Sequence, residues 1–137
     1  MIATTDLCPL LQVFDMPASV RFYRDLLGFT VETTSPVQDS DPPFDWALLR
    51  KGEAVLMLNT AYERDDRPVV PDPARIAAHG DICLYLGCPD VDGAYRLLSQ
   101  QGLDIALPVT APYGMRQLTL KDPDGYAVCL QGAVADR

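Results

Sequence analysis

The feature of this sequence that most restricts its fold is a strand and helix pattern written twice. In the first half, Asp15 is suited to cap a helix over residues 18–27, Pro17 fits its first turn, and Gly28 fits its end. An apolar, strand-like stretch precedes this helix, and further strand-like stretches follow it. Four strands are expected, at residues 7–14, 29–34, 44–50 and 53–59.

The second half repeats this order, with Tyr95 standing 72 residues after Tyr23 and Gly102 standing 74 residues after Gly28. Asp90 is suited to cap the second helix. Strands are expected at 81–87, 103–107, 114–121 and 126–131, the last two as a hairpin around residues 122–125. The repeat predicts an α+β fold of two tandem βαβββ modules, at about 7–59 and 81–131, in a single domain of residues 1–137.

A connector at about residues 60–80 joins the two modules. Three prolines and three arginines mark it: Pro68, Pro71, Pro73, Arg64, Arg67 and Arg75. A link of this length in a small protein is typical of a crossing arm or a functional loop, and a plain surface linker fits equally well. All three interpretations stay open at this point.

Charge and composition exclude several classes of function. The net charge of −8 argues against binding to nucleic acid, whose phosphates attract clustered lysine and arginine. That charge either attracts a cationic ligand or simply keeps the protein soluble. The longest apolar runs, such as residues 54–58, are far shorter than the roughly 20 residues of a membrane helix. Residues 1–6 do not resemble a signal peptide, so we expect a cytoplasmic protein that does not enter membranes.

The cysteines point to the same compartment. Cys8, Cys83, Cys88 and Cys129 form no CxxC pair, and a reducing compartment disfavours disulfides. We therefore expect four free thiols that pack as small buried hydrophobic groups.

Two stretches of the sequence resemble a known family. Residues 13–29, VFDMPASVRFYRDLLGF, match the pattern V-x-D-x-x-x-S-x-x-F-Y-x-x-x-L-G-F, and residues 122–126 read D-P-D-G-Y. Both are similar to signatures of the vicinal oxygen chelate superfamily, which contains glyoxalases, bleomycin resistance proteins and extradiol dioxygenases. The resemblance covers about residues 7–131. It implies an eight-stranded, open, cupped sheet with helices on the convex face, a cavity inside the cup, and a homodimer whose modules are sometimes exchanged.

Strand alternation sorts the side chains that should face this cavity from those under the helices. The predicted ligand-binding residues are Cys8, Leu10, Phe44, Trp46, Leu48, Met57, Asp81, Tyr85, Met115, Gln117 and Cys129. Most are apolar, aromatic or sulfur-containing, as in the usual small-molecule pocket. Trp46 is alternatively an ordinary core residue. Asp81 either meets a ligand cation or pairs with Arg116 or Gln117.

The resemblance also implies four metal-ligand positions, which in this chain read Cys8, Met57, Asp81 and Cys129. The family's catalytic divalent metal needs oxygen or imidazole donors, and only Asp81 supplies one. We therefore predict no metal and no cofactor. The alternative is a soft metal, zinc or copper(I), on the sulfur atoms. His79, the single histidine, is expected at the surface.

These residues predict a metal-independent protein that sequesters an apolar or aromatic small molecule, with or without a positive charge, similar to the bleomycin-resistance branch and to antibiotic-binding proteins. The alternative function is a glyoxalase-like or dioxygenase-like enzyme, a lyase or isomerase. Without a metal, its chemistry would rest on Asp81, Tyr85 or Cys129. A third interpretation is an accessory protein whose cup is filled by its own side chains. The sequence does not name the ligand.

Overall fold

The computed structural model describes residues 1–134 and contains the repeated pattern in full. The chain divides into two compact units, Met1–Pro71 (unit 1) and a second that begins at Asp72 (unit 2). Each unit holds one four-stranded mixed sheet and at least one helix, which confirms the α+β class and the two βαβββ modules. Residues 135–137, which the predicted domain includes, lie outside the described part.

Unit 1 is built from one helical segment and four strands. They are β1 (Leu10–Val13), α1 (Met16–Val20), β2 (Thr30–Thr34), β3 (Trp46–Lys51) and β4 (Ala54–Thr60). The order across the sheet is β1-β4-β3-β2. Strands β1 and β4 run parallel and the other neighbours run antiparallel, so the sheet is open, with β1 and β2 at its edges.

The helix of unit 1 begins as its cap predicts and then widens. The side chain of Asp15 accepts a hydrogen bond from the Ala18 backbone N–H at 3.0 Å, which confirms the N-cap. From Arg21 to Leu26 the chain continues as a π-helix, with the Leu27 N–H donating to the carbonyl of Phe22 five residues earlier. The prediction of a helix at residues 18–27 is therefore confirmed in position, but the prediction of a regular α-helix throughout is wrong.

Unit 2 repeats the sheet and adds a short helix in front of it. Its elements are α2 (Pro73–Ala78), β5 (Cys83–Gly87), α3 (Val91–Gln100), β6 (Val109–Thr110), β7 (Met115–Lys121) and β8 (Ala127–Ala133). The order is β5-β8-β7-β6, the same as in unit 1, with β5 and β8 parallel. Asp90 caps α3 by accepting from the Gly93 N–H at 2.9 Å, as predicted.

Two segments differ from the prediction. The strand expected at 103–107 is absent, and β6 lies later, at Val109–Thr110. In the register that pairs Val109 with Gln117, the next ladder position before Val109 is Pro108, which has no N–H to donate. The segment expected as a connector, residues 60–80, contains α2 together with 3₁₀ turns at Arg64–Asp66 and His79–Asp81.

Each sheet has one face that is buried with its helix. In unit 1 this face carries Leu11, Val13, Ala47, Leu49, Leu56 and Leu58, and in unit 2 Leu118, Leu120, Val128 and Leu130. Helix residues complete these cores, among them Met16, Val20 and Tyr23 in unit 1 and Val91 and Leu98 in unit 2. Burying one such aliphatic side chain contributes roughly 1.5–3 kcal/mol to the free energy of folding.

The D-P-D-G turn between β7 and β8 docks on α2. Asp124, almost fully buried, forms a salt bridge with Arg75 at 2.8 Å. Asp122 Oδ1 accepts hydrogen bonds from the backbone N–H groups of Asp124 and Tyr126, both at 2.9 Å. The family-like motif therefore serves an internal structural contact in unit 2.

His79 takes part in the same contact. Its Nδ1 lies 2.7 Å from the carbonyl oxygen of Asp124, and because a carbonyl only accepts, this nitrogen carries the proton. The imidazole stacks on the ring of Tyr126, with centroids 4.0 Å apart and planes 10° from parallel. The expectation of a simple surface histidine was wrong, since the side chain is half-buried and bonded on one side.

The cysteines and helices bear on two further expectations. All four cysteines are free thiols, but only Cys129 is buried, while Cys8 and Cys88 are half-buried and Cys83 is exposed. The expected burial therefore holds for one thiol of the four. No helix within residues 1–134 is long and apolar enough to cross a membrane.

Candidate functional site

The sheet of unit 1 has a second face, away from its buried core, and register fixes its composition. Leu10, Met57 and Leu48 are direct neighbours across β1, β4 and β3. The next row consists of Gln12, Asn59 and Trp46, in which the Asn59 amide donates to Gln12 Oε1 at 3.3 Å. We call these six residues the open face of unit 1. Leu10 is 45% exposed, and Met57, Leu48 and Trp46 are half-buried.

The sheet of unit 2 has an open face at the same place in its pattern. One row places Tyr85, Cys129 and Thr119 side by side, and the next pairs Gln131 with Gln117. The Gln117 amide donates to the hydroxyl of Tyr113 at 2.8 Å and to Gln131 Oε1 at 3.1 Å. Tyr85, Thr119, Cys129, Gln117 and Gln131 form the open face of unit 2. Tyr85 is 56% exposed, whereas Cys129 is 2% exposed.

Four of the predicted site residues lie outside these rows, namely Phe44, Met115, Cys8 and Asp81. Phe44 is in the loop before β3, because the Ser35 hydroxyl accepts from the backbone N–H groups of Asp45 and Trp46 and the strand starts only there. Met115 is half-buried at the start of β7, opposite Ala133. Cys8 lies just before β1, half-buried, with its thiol 4.0 Å from the carbonyl of Pro9.

The capping aspartates allow the two units to be compared position by position. Cys8 lies seven residues before Asp15, and Cys83 lies seven residues before Asp90. The parallel strands give the same equivalence, since Leu10 pairs with Met57 and Tyr85 pairs with Cys129. Cys83, rather than Asp81, is therefore the counterpart of Cys8.

Asp81 lies elsewhere than strand alternation suggested. It is exposed in the 3₁₀ turn His79–Asp81, two residues before β5 begins. The proposed pairing with Arg116 or Gln117 is wrong, because Arg116 pairs with Asp92 at 2.9 Å and Gln117 bonds to Tyr113 and Gln131.

The donor atoms at the family's metal positions do not fit its usual metal. With Cys83 in place of Asp81, these positions read Cys8, Met57, Cys83 and Cys129, which offer sulfur alone. A catalytic divalent ion of the glyoxalase kind requires oxygen or imidazole donors. Within residues 1–134, no cluster of three or more His, Cys, Asp or Glu side chains is arranged to hold a metal ion.

Two titratable groups of β5, Cys83 and Tyr85, are uncharged at neutral pH. Partial desolvation of the thiol, and secondly the neighbouring Cys129, raises the pKa of Cys83 above that of an ordinary cysteine, although the residue as a whole is exposed. The pKa of Tyr85 is also raised, first by Cys83 and then by Cys129. Both groups therefore stay protonated at neutral pH. Tyr85 offers a phenolic hydrogen-bond donor, and Cys83 is a weak nucleophile and a weak metal ligand.

Each open face, taken by itself, offers apolar or aromatic surface with a few neutral polar groups. Sequence reasoning identified most of these residues, because alternation alone decides which face a strand residue occupies. It did not identify the amide pairs Gln12–Asn59 and Gln117–Gln131, which depend on which strands are neighbours. Such a surface suits contact with a flat organic molecule.

Comparison with known proteins gives one family and several similar folds. The family model described as the Glyoxalase/Bleomycin resistance protein/Dioxygenase superfamily matches residues 4–130. A search of curated proteins found no match. Solved structures similar to this chain include TnmS3, an antibiotic binding protein from Streptomyces sp. CB03234, which is 23% identical with a TM-score of 0.69 over 98% of this chain and 99% of that one.

Two further structures show how widely this fold is used. A bleomycin-binding protein complexed with bleomycin is 21% identical, with a TM-score of 0.65 over 96% of this chain and 100% of that one. A lactoylglutathione lyase from Agrobacterium tumefaciens is 18% identical, with a TM-score of 0.67 over 95% and 94% of the two chains. At these identities the likeness establishes the fold, which in these proteins carries binding in one case and catalysis in another.

Proposed function

Because the chain belongs to the glyoxalase/bleomycin resistance protein/dioxygenase superfamily, we propose that it binds an apolar or aromatic small molecule without the help of a metal ion. The observation that carries this proposal is the open face of unit 1, where Leu10, Met57 and Leu48 lie in one row beside Trp46. The antibiotic-binding proteins of similar fold support it.

The chemistry of the open faces defines the ligand class. Trp46 and Tyr85 offer flat rings, and Met57 adapts to irregular shapes. The amides of Gln117 and Gln131 suit a carbonyl or hydroxyl on the ligand rather than a formal charge. A positive charge on the ligand would be attracted at long range by the net charge of −8, to which the exposed Asp81 contributes.

We propose binding rather than catalysis because of the donor atoms at the metal positions. A glyoxalase-like lyase or a dioxygenase polarises its substrate with a hard metal ion, and thiols and a thioether are poor ligands for such an ion. The raised pKa of Cys83 also disfavours nucleophilic chemistry at that thiol. The homodimer implied by the resemblance and the cytoplasmic location expected from the sequence remain proposals, the first testable by light scattering during size-exclusion chromatography.

Fluorescence of Trp46, the single tryptophan, tests the proposal directly. Titration with bleomycin and with planar aromatic antibiotics should quench the emission at roughly micromolar concentration, as for a well-formed small-molecule site. Leu10→Glu places a charge in the apolar row and should abolish quenching. The matched control is Leu97→Glu, because Leu97 is also an exposed leucine, at 63%, but lies on α3.

Two results would contradict the proposal. The first is an unchanged emission across the whole panel of compounds. The second is equal loss of binding in Leu10→Glu and Leu97→Glu, because that would assign the effect to charge in general rather than to the open face.

A further inference from the structure

Unit 1 contains a cavity of about 300 Å³ that is separate from the open face. It lies where β1 and β4 end, and we call it the end cavity. Its wall combines two aromatic rings, two guanidinium groups and two carboxylates, from Phe14, Tyr62, Arg64, Arg67, Asp41 and Asp45. None of these residues belongs to the predicted ligand site.

One arginine of the end cavity, Arg64, has a structural role in its wall. The guanidinium of Arg64 donates to the hydroxyl of Ser40 and to the carbonyl of Pro42, both at 2.7 Å, and lies 3.4 Å from Asp45 Oδ1. These bonds fix the loop before β3 against the segment after β4. The positive charge of Arg64 is therefore already matched within the protein.

The other arginine of the end cavity, Arg67, has a hydrogen-bond donor without an acceptor among residues 1–134. The guanidinium of Arg67 lies over the ring of Phe14, with its central carbon 4.3 Å from the ring centroid. Its Nε atom is buried and has no hydrogen-bond partner among residues 1–134. A buried N–H on a cationic group that lacks an acceptor is costly, so a ligand oxygen that reached this N–H would stabilise the site.

We infer that the end cavity binds a small organic acid, whose carboxylate is held by Arg67 and whose apolar part lies against Phe14 and Tyr62. The planar guanidinium fork matches the two oxygens of a carboxylate. The two rings meet edge to face at 6.3 Å and supply an aromatic wall. A volume of about 300 Å³ lies at the lower end of small-molecule pockets and suits a single ring bearing one carboxylate.

The two carboxylates in the wall of the end cavity favour a ligand with a single negative charge. Asp41 and Asp45 line the same cavity, so a phosphate or another multiply charged anion is repelled more strongly than a carboxylate. The inference does not rest on the proposed function, because it concerns other residues and a ligand of opposite charge.

Proton–nitrogen correlation NMR of the Arg67 side chain provides the test, with sodium benzoate as the probe. Saturable binding should shift the Nε–H resonance of Arg67 as it gains an acceptor. Benzamide, which has the same shape without the charge, and inorganic phosphate should each bind at least about tenfold more weakly, because the charge-assisted bidentate bond is lost or opposed.

Substitution completes the test. Arg67→Gln should weaken benzoate binding at least about tenfold, and Arg67→Lys should do the same, because lysine keeps the charge but lacks the planar fork. Arg50→Gln, which removes an equal charge at an exposed pair with Glu32, should leave binding unchanged. Circular dichroism of each variant shows whether it is folded. If Arg67→Gln does not fold, Arg67→Lys provides the test of binding.

Three outcomes would overturn the inference. They are no saturable shift of the Arg67 Nε–H up to the solubility limit of benzoate, equal binding by Arg67→Lys and the unaltered protein, and tighter binding of phosphate than of benzoate.

Discussion

The open faces of the two units occupy the same positions of the same pattern and differ in chemistry. In unit 1 the equivalent row reads Leu10, Met57 and Leu48, whereas in unit 2 it reads Tyr85, Cys129 and Thr119. The buried faces remain aliphatic in both units. The core side of each sheet is therefore constrained by packing against its helix, while the open side has diverged, as expected if it serves recognition rather than stability.

The hairpin turns differ in a second way. In unit 1 the turn at Gly52 is open, since a Cβ added to this glycine would meet no other atom within 4 Å. In unit 2 the turn containing Gly125 packs on α2, where a Cβ would collide with the carbonyl oxygen of Ile76. The same supersecondary unit therefore packs its turn glycine on an added helix in unit 2 and leaves its turn glycine free of contacts in unit 1.

The contrast between buried and open faces should produce the largest effect. Leu58→Ala, at a fully buried position, should lower the free energy of unfolding by about 3–4 kcal/mol, through lost burial and a residual cavity. Leu10→Ala, on the open face, should cost less than about 1 kcal/mol. Urea denaturation measures both, and similar costs would show that the open face also belongs to the core.

Substitutions in the two hairpin turns should have the second-largest effect on the free energy of unfolding. Gly125→Ala should cost about 2–3 kcal/mol, because Gly125 has a φ of +86° and its Cβ would displace α2. Gly52→Ala, at a φ of +57° in open space, should cost about 1 kcal/mol. Urea denaturation measures the costs, and hydrogen exchange of α2 amides should increase only in the first variant. Unchanged α2 protection in Gly125→Ala would refute the docking role.

Ion pairs of the two units offer a smaller contrast. Asp124→Asn should cost about 2 kcal/mol, because it removes the charge of a fully buried carboxylate that pairs with the largely buried Arg75. Asp45→Asn should cost less than about 0.5 kcal/mol, because the Arg64–Asp45 pair is exposed to solvent. Thermal unfolding at low and high salt separates the two, since only the exposed pair is screened. Equal losses would mean that burial of Asp124 contributes nothing.

The thiol of Cys83 should show the smallest effect, on reactivity rather than on stability. Its raised pKa lowers the thiolate fraction, so alkylation of Cys83 at pH 8 should be slower than alkylation of free N-acetylcysteine. The alkylation rate of Cys83 should also continue to rise at pH values where the rate of the free thiol no longer increases. Cys129→Ala removes one cause of the raised pKa and should speed the reaction. Mass spectrometry of the labelled peptide measures the rate, and a rate unaffected by Cys129→Ala would contradict this account.

Much of the fold was predictable because its signals are local. Asp15 and Asp90 lie three residues before the N–H groups that they accept from, and such short-range caps are visible in the sequence. The alternation of β3 and β4 likewise placed Trp46, Leu48 and Met57 on one face. The apolar part of the open face of unit 1 therefore follows from the sequence, whereas Phe44, which was predicted to join it, lies in the loop before β3.

The rest was not predictable, because it depends on partners far along the chain. The role of Pro108 in delaying β6 is clear only once Val109 is known to pair with Gln117. That Cys83, and not Asp81, is the counterpart of Cys8 depends on the residue at which β5 begins to pair with β8. Alternation does not determine that starting residue, because Asp81 and Cys83 lie on the same face of an extended strand. The docking of α2 joins residues about 50 positions apart, as in the pair Arg75 and Asp124.

By itself, then, the sequence determined the helix caps and the two-sided character of each sheet, since these rest on spacings of two to four residues. It also determined the repeat, which is the same set of local patterns occurring twice. Tertiary structure alone decided which rows the strands form, that Cys129 is buried while Tyr85 is exposed, and that Arg67 Nε is enclosed without an acceptor among residues 1–134. The physical reason is that burial and hydrogen-bond satisfaction are properties of what surrounds a group in space, which neighbours in sequence do not specify.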